Sequence, residues 1–423
     1  MLTSWMTELR LTIAVAAAGL LFGLTSCQPG ASTPNQPGAY RGQVKLGIDV
    51  LTEQQFAPLR GKRVGLITNQ TSVNRRGEKT RVVLHRAQEV NLVALYTPEH
   101  GLDGTEKAAV HISNRRDPLT GLTAYSLYGP TRKPTPAMLS HIDVLLFDLQ
   151  DIGCRSYTYI STMALAMEAC GEQGKEFIVL DRPNPMGGHR IQGPPIEEKW
   201  RSFVGQLPTP YVHGMTAGEL AQMANASRWM KAQCRLSVIP MQGWNRNMAW
   251  EHTGLRWVAT SPNIPNPRSP FYYTATGILG SLTGGDIGIG TSGPFEFCGG
   301  RGVDPNEFTA ALNRLNTPGI KFTPYTSPNR QGMAGSRIHI DPNTSADLVA
   351  LDIALIAELN KRIPKNLFAN SSGSTKNIFY KVYGSRDLEN HLSRGVSAGQ
   401  IIATWKPHND RFRNQRQRFL LYR

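Results

Sequence analysis

What the chain has little of narrows the choices first. Among 423 residues there are only five cysteines, and 31 Asp+Glu stand against 46 Lys+Arg, a formal charge of +15. No two cysteines have CxxC spacing, so neither a zinc knuckle nor a dithiol redox centre fits, and no metal or other cofactor is expected. No apolar run reaches the ~20 residues of a bilayer-spanning helix. No internal repeat is visible, and the 41 Gly and 28 Pro follow no collagen-like period. There is no DNA- or RNA-binding motif and no interleaving of aromatic with basic residues, so the positive charge does not mark a nucleic-acid partner. A solvated basic face, or attraction to an acidic polymer or lipid surface, accounts for it. What is present is 40% hydrophobic and 18% charged, a composition that can bury a core. The length suits two or three domains.

The amino terminus reads as an address. Residues 11–24 (LTIAVAAAGLLFGL) follow Arg10 without a charge, as the hydrophobic segment of an export signal does. Glu8 offsets Arg10, which is atypical. Leu24-Thr25-Ser26-Cys27 resembles the bacterial lipobox, which makes residues 1–27 a lipoprotein signal and Cys27 the lipidated residue. A plain signal peptide with an incidental cysteine is the alternative. Acyl chains contribute ~0.8 kcal/mol per buried CH₂, so several of them on Cys27 would hold the chain on a membrane. Residues 28–44, rich in Pro, Gly, Ser and Asn, read as a flexible tether. Gln28 stands where Asp would mark inner-membrane retention. The expectation is an exported protein on the periplasmic face of the outer membrane, touching the membrane through its lipid anchor alone. Cys154, Cys170, Cys234 and Cys298 allow two disulfides in three connectivities, or four buried thiols, which is the preferred reading.

Short aliphatic runs follow at 63–68 (RVGLIT), 92–96 (LVALY), 142–147 (IDVLLF) and 177–180 (FIVL). Helical patterns at 79–89 and 161–172, with a shorter one at 136–140, separate them, and 122–127 suggests one more strand. This alternation predicts an α/β fold, a Rossmann-like doubly wound and mostly parallel sheet, over residues 45–210. Residues 211–423 read as a smaller α+β auxiliary domain. There Thr216-Ala217-Gly218-Glu219 matches a capping box, 236–240 is strand-like, 261–270 is a proline-rich loop, and 347–360 is the clearest amphipathic helix.

Ligands of open α/β sheets bind beyond the carboxyl ends of the strands, and each run here ends in polar residues. The first leads into Asn69-Gln70-Thr71 and the second into Thr97-Pro98-Glu99-His100. The third leads into Asp148-Leu149-Gln150-Asp151, then Arg155, Tyr157 and Tyr159, and the fourth into Asp181-Arg182-Pro183-Asn184. An Asp at one strand end is commonly a helix cap; four polar ends in a row favour a site. Carboxylates among amides, tyrosines and an arginine suit glycoside hydrolysis. One carboxyl protonates the leaving oxygen, a second acts as base or nucleophile, and their separation distinguishes inversion from retention. Glu99 is chosen as the acid, which needs a raised pKa from burial or a neighbouring carboxylate. Two other motifs compete. Gly288-Ile289-Gly290-Thr291-Ser292-Gly293 matches GxGxxG but lacks a flanking strand and helix. Gly395-Val396-Ser397-Ala398-Gly399 matches a hydrolase elbow, although Ser397 reads better as a helix N-cap.

These residues resemble a known family, the bacterial exo-β-N-acetylmuramidases of the NamZ type. The resemblance is carried by Gly65-Leu66-Ile67-Thr68-Asn69-Gln70-Thr71, Pro98-Glu99-His100-Gly101 and Tyr125-Ser126-Leu127-Tyr128-Gly129. It continues through Phe147-Asp148-Leu149-Gln150-Asp151-Ile152-Gly153, Tyr157-Thr158-Tyr159-Ile160, Asp181-Arg182-Pro183-Asn184-Pro185, His213-Gly214-Met215-Thr216, Gly243-Trp244 and Ser261-Pro262-Asn263-Ile264-Pro265. It implies a cleft between a Rossmann-like and an auxiliary domain, and release of N-acetylmuramic acid from the non-reducing end of peptidoglycan fragments. It implies catalytic roles for Glu99, Asp151 and His100. Asn69, Gln150, Arg155, Tyr157, Asp181, Asn184, His213 and Asn263 would bind the muramyl sugar, with Arg155 facing its lactyl carboxylate. Where the family usually carries Glu-Gly-Thr-Asn and Gly-Arg-Gly-Thr, this chain has Ser281-Leu282-Thr283-Gly284 and Gly288-Ile289-Gly290-Thr291. That departure keeps open a glycan-binding lipoprotein that does not cleave, and with it the exact glycan. Stereochemistry and oligomeric state stay open as well.

Overall fold

Strands rich in Leu, Val and Ile need cover on both faces, and a parallel sheet flanked by helices provides it. In the computed structural model, which describes residues 44–106, 110–327, 330 and 332–423, seven strands do this. They are β1 (Arg63–Thr68), β2 (Asn91–Thr97), β3 (Arg115–Arg116), β4 (Thr123–Ser126), β5 (Val144–Asp148), β6 (Glu176–Leu180) and β7 (Arg235–Ile239), in the order β3-β4-β2-β1-β5-β6-β7. Every pairing is parallel except β3 with β4. Cys27, the apolar segment and the tether up to residue 43 lie outside the described residues.

The period-2 alternation of a strand divides the core into two layers. Ile67, Tyr96, Leu145, Phe147 and Phe177 face one side, where helices Tyr159–Glu172 and Ala217–Ala226 cover them. Leu66, Leu95, Leu146, Ile178 and Leu180 face the other, under helix Gly47–Glu53. The expected capping box is formed: the Thr216 hydroxyl accepts from the Glu219 N–H at 3.3 Å, and the Glu219 carboxylate accepts from the Thr216 N–H at 3.1 Å.

The sheet runs past residue 210. β7, placed by the sequence in the auxiliary domain, pairs with β6 from Glu176↔Arg235 to Leu180↔Ile239. As an edge strand it is only half covered, so its alternating pattern lacks the continuous apolar run of β1 or β5. A second sheet follows, formed by β8 (Gly285–Asp286), β9 (Phe297–Arg301), β10 (Ile320–Thr326) and β11 (Met333–Ile340), antiparallel in the order β10-β11-β9-β8. Pro324 sits on its edge strand β10, where a missing N–H costs no ladder bond.

Helix Leu348–Asn360 is capped by Asp347, but it is not amphipathic. Residues from Leu348 to Leu359 are buried on most of its circumference, and helices Ser269–Thr276 and Ala398–Ala403 both pack against it. Its buried Asp352 accepts the N–H groups of Ile278 at 2.8 Å and Leu279 at 3.1 Å. Cys154, Cys170, Cys234 and Cys298 are buried free thiols. Among the described residues no helix is long and apolar enough to cross a membrane.

At the carboxyl ends the strands are tied sideways. Arg182, just after β6, donates Nε to Asp148 Oδ1 at 2.5 Å and Nη2 to Oδ2 at 3.0 Å, and both side chains are almost fully buried. Removing one partner strands the other charge, at a cost of about 3–5 kcal/mol. Arg182→Met is therefore expected to lower the unfolding free energy by about that much in urea titrations; a loss under ~1 kcal/mol would mean that the pair does not hold this end of the sheet.

Candidate active site at the carboxyl ends of the sheet

Strand register sets the level of the site. Thr68 lies opposite Asp148 and Ile67 opposite Tyr96, so the chain leaves β1, β2 and β5 at one height. From β1 the chain turns to β2 on one side and later to β5 on the other. That reversal is the point where open α/β sheets leave a crevice. The loops leaving it carry Asn69, Glu99, Gln150 and Asp151.

Glu99 is buried, and its carboxylate accepts from the Thr158 hydroxyl at 2.7 Å. Thr158 is the N-cap of helix Tyr159–Glu172, so the start of that helix positions the hydroxyl that holds Glu99. The Tyr128 hydroxyl is within hydrogen-bond reach of Glu99, and burial together with that neighbouring charge pushes it up to about 12. Directly after Glu99 the backbone turns left-handed twice, at His100 (φ 70°) and Gly101 (φ 73°). For His100 this conformation costs on the order of 1–2 kcal/mol. The turn is held by His100 Nδ1 against the Glu106 carbonyl at 2.7 Å and by the Gly101 N–H on the Pro98 carbonyl at 3.1 Å.

The second carboxylate is less satisfied. Asp151 Oδ2 accepts the Gly153 N–H at 2.7 Å, while the buried Oδ1 has no partner. Burial pushes this carboxyl up to about 7. Gly153 adopts φ 87°, and a Cβ there would lie 2.6 Å from Asn184 Oδ1, so the turn that supplies the N–H needs glycine.

Tyr157 and Tyr159 lie near the two acids, their rings edge-on at 4.9 Å. Tyr157 feels the charge of Asp151, Tyr159 that of Glu99, and burial above all raises both hydroxyls. Tyr157 donates to the Thr260 hydroxyl at 2.7 Å and Tyr159 to the Thr260 carbonyl at 2.6 Å; Asn69 Nδ2 donates to Tyr159 at 2.9 Å. Gln70 bonds the Ala259 and Thr260 carbonyls. These contacts lay the 259–263 turn, with half-buried Asn263, over the ends of β1 and β5. Cavities of about 330 Å³, lined by Thr97, His100 and Glu106, and about 280 Å³, lined by Thr71, Gln150 and Trp257, open beside these residues.

Residues 64–268 match the model of the N-terminal part of exo-β-N-acetylmuramidase NamZ, and residues 271–422 match that of its C-terminal part. The peptidoglycan β-N-acetylmuramidase NamZ of Bacillus subtilis is 37% identical over 98% of this chain and 100% of its own length. Crystal structures of two DUF1343-family proteins from Bacteroides fragilis superpose on 90% of this chain and 99% of theirs. One does so with a TM-score of 0.84 at 43% identity, the other with 0.73 at 27%. The chain belongs to the NamZ family of exo-β-N-acetylmuramidases.

Several polar residues of this NamZ-family chain serve the scaffold instead of the crevice. Arg155 is fully buried: Nη1 donates to the carbonyls of Pro194 at 2.9 Å and Thr209 at 2.6 Å, and Nη2 to those of Val382 at 3.3 Å and Tyr383 at 2.7 Å. Its two terminal nitrogens are thus given to the backbone, and Nε is buried without a partner, so the guanidinium is enclosed by the scaffold. His213 is also enclosed, with Nδ1 accepting the Met215 N–H at 3.2 Å. Burial first, then the Arg416 charge, pushes it down to about 3, a neutral core imidazole. Asp181 accepts from the hydroxyls of Thr216 and Tyr422 and from the Gly218 N–H, so it caps a helix and anchors the carboxyl-terminal tail. Asn184 bonds the Met215 carbonyl and the Met186 N–H and shapes a turn.

Conversely, Thr158 and Tyr128 touch Glu99 although neither stood out by residue type. The signal available was their place inside Tyr157-Thr158-Tyr159 and Leu127-Tyr128-Gly129. Ser397 is an N-cap, its hydroxyl donating to Gln400 Oε1 at 2.8 Å. No esterase follows from it. Asp286 and Glu296 are paired with Arg330 and Arg337.

Asp151 has a consequence for stability against pH. A carboxyl whose folded pKa is raised binds its proton more tightly when folded, so its contribution is favourable at low pH. It is lost as pH rises from ~4 through about 7. Asp151→Asn is expected to remove part of the decline in stability over that window, no more than ~4 kcal/mol. Parallel pH–stability curves for the two proteins would contradict it.

Proposed function

We propose that this glycosidase releases N-acetylmuramic acid from the non-reducing end of peptidoglycan fragments, with Glu99 as acid and Asp151 as base. The observation that carries the reading is the pair of buried carboxyls at the strand-order reversal, one held by hydroxyl donors and the other with a free oxygen lobe. Glu99 would give its proton to the glycosidic oxygen as the C–O bond breaks. Water would attack the anomeric carbon and lose its proton to Asp151, whose pKa near 7 suits a base at neutral pH. The products are the free sugar and the shortened glycan. Thr158 and Tyr128 orient the acid, and the tyrosine pair walls one side against water.

The same reading places the enzyme outside the cytoplasm, lipid-anchored through Cys27 on the periplasmic face of the outer membrane. The tether and the basic charge support this by giving reach and attraction toward an acidic wall polymer. A glycan-binding role without cleavage remains the competing reading, favoured by the departures at 281–284 and 288–291.

Purified full-length protein is expected to release chromophore from a β-N-acetylmuramide and not from the β-N-acetylglucosaminide. Glu99→Gln should lower kcat by about 10²–10⁴. Asp151→Asn should lower it similarly and abolish the rise of rate with pH near neutrality. Full activity in Glu99→Gln would remove the acid assignment. Binding of muramyl fragments with no turnover by the unmutated protein would select the binding role.

A further inference from the structure

If Arg155 is closed off, the lactyl carboxylate of a muramyl substrate needs another cation. The loop between β4 and helix Pro136–Leu139 supplies one. Arg132 on that loop is exposed, and among the described residues it forms no ion pair with a carboxylate. By contrast, Arg182 is bound to Asp148, Arg115 to Asp103, and Arg81 to Asp117.

The position of Arg132 is fixed from three sides. Its guanidinium carbon lies 4.9 Å from the Tyr128 ring centroid and 4.4 Å from that of Phe203, and the two rings are 5.7 Å apart. Stacking on two aromatic faces holds a guanidinium plane while leaving the N–H groups turned away from the Tyr128 hydroxyl open. The next residue, Lys133, pins the loop to helix Tyr159–Glu172 through Glu168 at 2.8 Å and Glu172 at 2.7 Å. The Thr131 hydroxyl closes the turn on the Lys133 carbonyl at 2.6 Å. An exposed arginine without these supports would sample many rotamers; this one is already oriented.

Its place beside the acid also fits. The Tyr128 hydroxyl feels both Glu99 and Arg132, so the acid and the guanidinium flank one side chain. On a pyranose the glycosidic oxygen on C1 and the substituent on C3 belong to the same ring, so groups flanking one side chain can address both. Muramic acid carries its lactyl ether on C3.

Resting on the proposed muramyl substrate, we propose that Arg132 is the specificity residue that pairs bidentately with the free lactyl carboxylate. Tyr128 and Phe203 hold its guanidinium in place. It selects muramic acid whose carboxyl is free over glucosamine, which lacks the group, and over muramic acid whose carboxyl is amide-linked to a stem peptide.

Two measurements on the full chain separate this claim from the claim of hydrolysis. Calorimetric titration with N-acetylmuramic acid, its lactyl carboxamide and N-acetylglucosamine reports recognition without turnover. The unmutated protein is expected to bind the acid at least 10-fold tighter than the carboxamide. Arg132→Ala should erase that preference, and Arg132→Lys should restore part of it by charge alone. Phe203→Leu should weaken acid binding several-fold by loosening the guanidinium. A preference that survives in Arg132→Ala, or no preference in the unmutated protein, overturns the assignment. Turnover of the chromogenic muramide is read separately. Binding selectivity that depends on Arg132 without turnover would leave the specificity residue standing and remove the hydrolase. Turnover with unchanged selectivity in Arg132→Ala would do the reverse.

Discussion

Parallel pairing of β1 with both β2 and β5 is the constraint from which the site follows. Ladder hydrogen bonds fix the register, the register brings three strands to the same height, and the reversal of chain order beside β1 keeps their loops from crossing. The loops are then locked to one another. The Thr71 hydroxyl accepts the Gln150 N–H at 3.0 Å, the Ser72 hydroxyl donates to the Asp148 carbonyl, and the Asp148–Arg182 pair spans from β5 to β6. Glu99 and Asp151 thus project from a rim with little freedom to relax, the condition under which preorganised groups are effective in catalysis.

Within that rim the polar groups divide by what remains available to a ligand. Asp181 has three donors on its carboxylate, and Arg155 gives its terminal nitrogens to four carbonyls. Buried polar atoms are satisfied by default, and those that are satisfied have nothing left to offer a sugar. Asp151 keeps one oxygen unpartnered, as Arg155 Nε and His213 Nε2 are, and burial raises its pKa. Glu99 accepts from the Thr158 hydroxyl beside Tyr128, a partner that can turn as the acid loses its proton. Strain points the same way: His100 holds a left-handed conformation beside the proposed acid.

This division explains what the sequence could and could not convey. The runs RVGLIT and IDVLLF were legible as parallel strands because burial on both faces demands continuous aliphatic residues. The pairing of β7 (RLSVI) with β6 was not legible, because an edge strand carries a weaker pattern and its partner lies more than fifty residues earlier. Thr216 and Ser397 were legible as caps, since capping is a local interaction with a local signature. Whether Asp181 or His213 faces a crevice or a core depends on Tyr422 and Arg416, some two hundred residues away. No local pattern carries that information. Arg132 was hidden for the same reason, because one of the rings that orients it, Phe203, comes from a distant loop.

The most direct test of the account is a crystal structure of the protein soaked with N-acetylmuramic acid. The account predicts the pyranose ring beyond the ends of β1, β2 and β5, with its anomeric oxygen within hydrogen-bond distance of Glu99. The larger cavity of about 740 Å³ among the carboxyl-terminal helices, lined by Leu315, Phe368, Val396 and Ala398, offers the contrasting location. Sugar density there, with the rim around Glu99 empty, would contradict it.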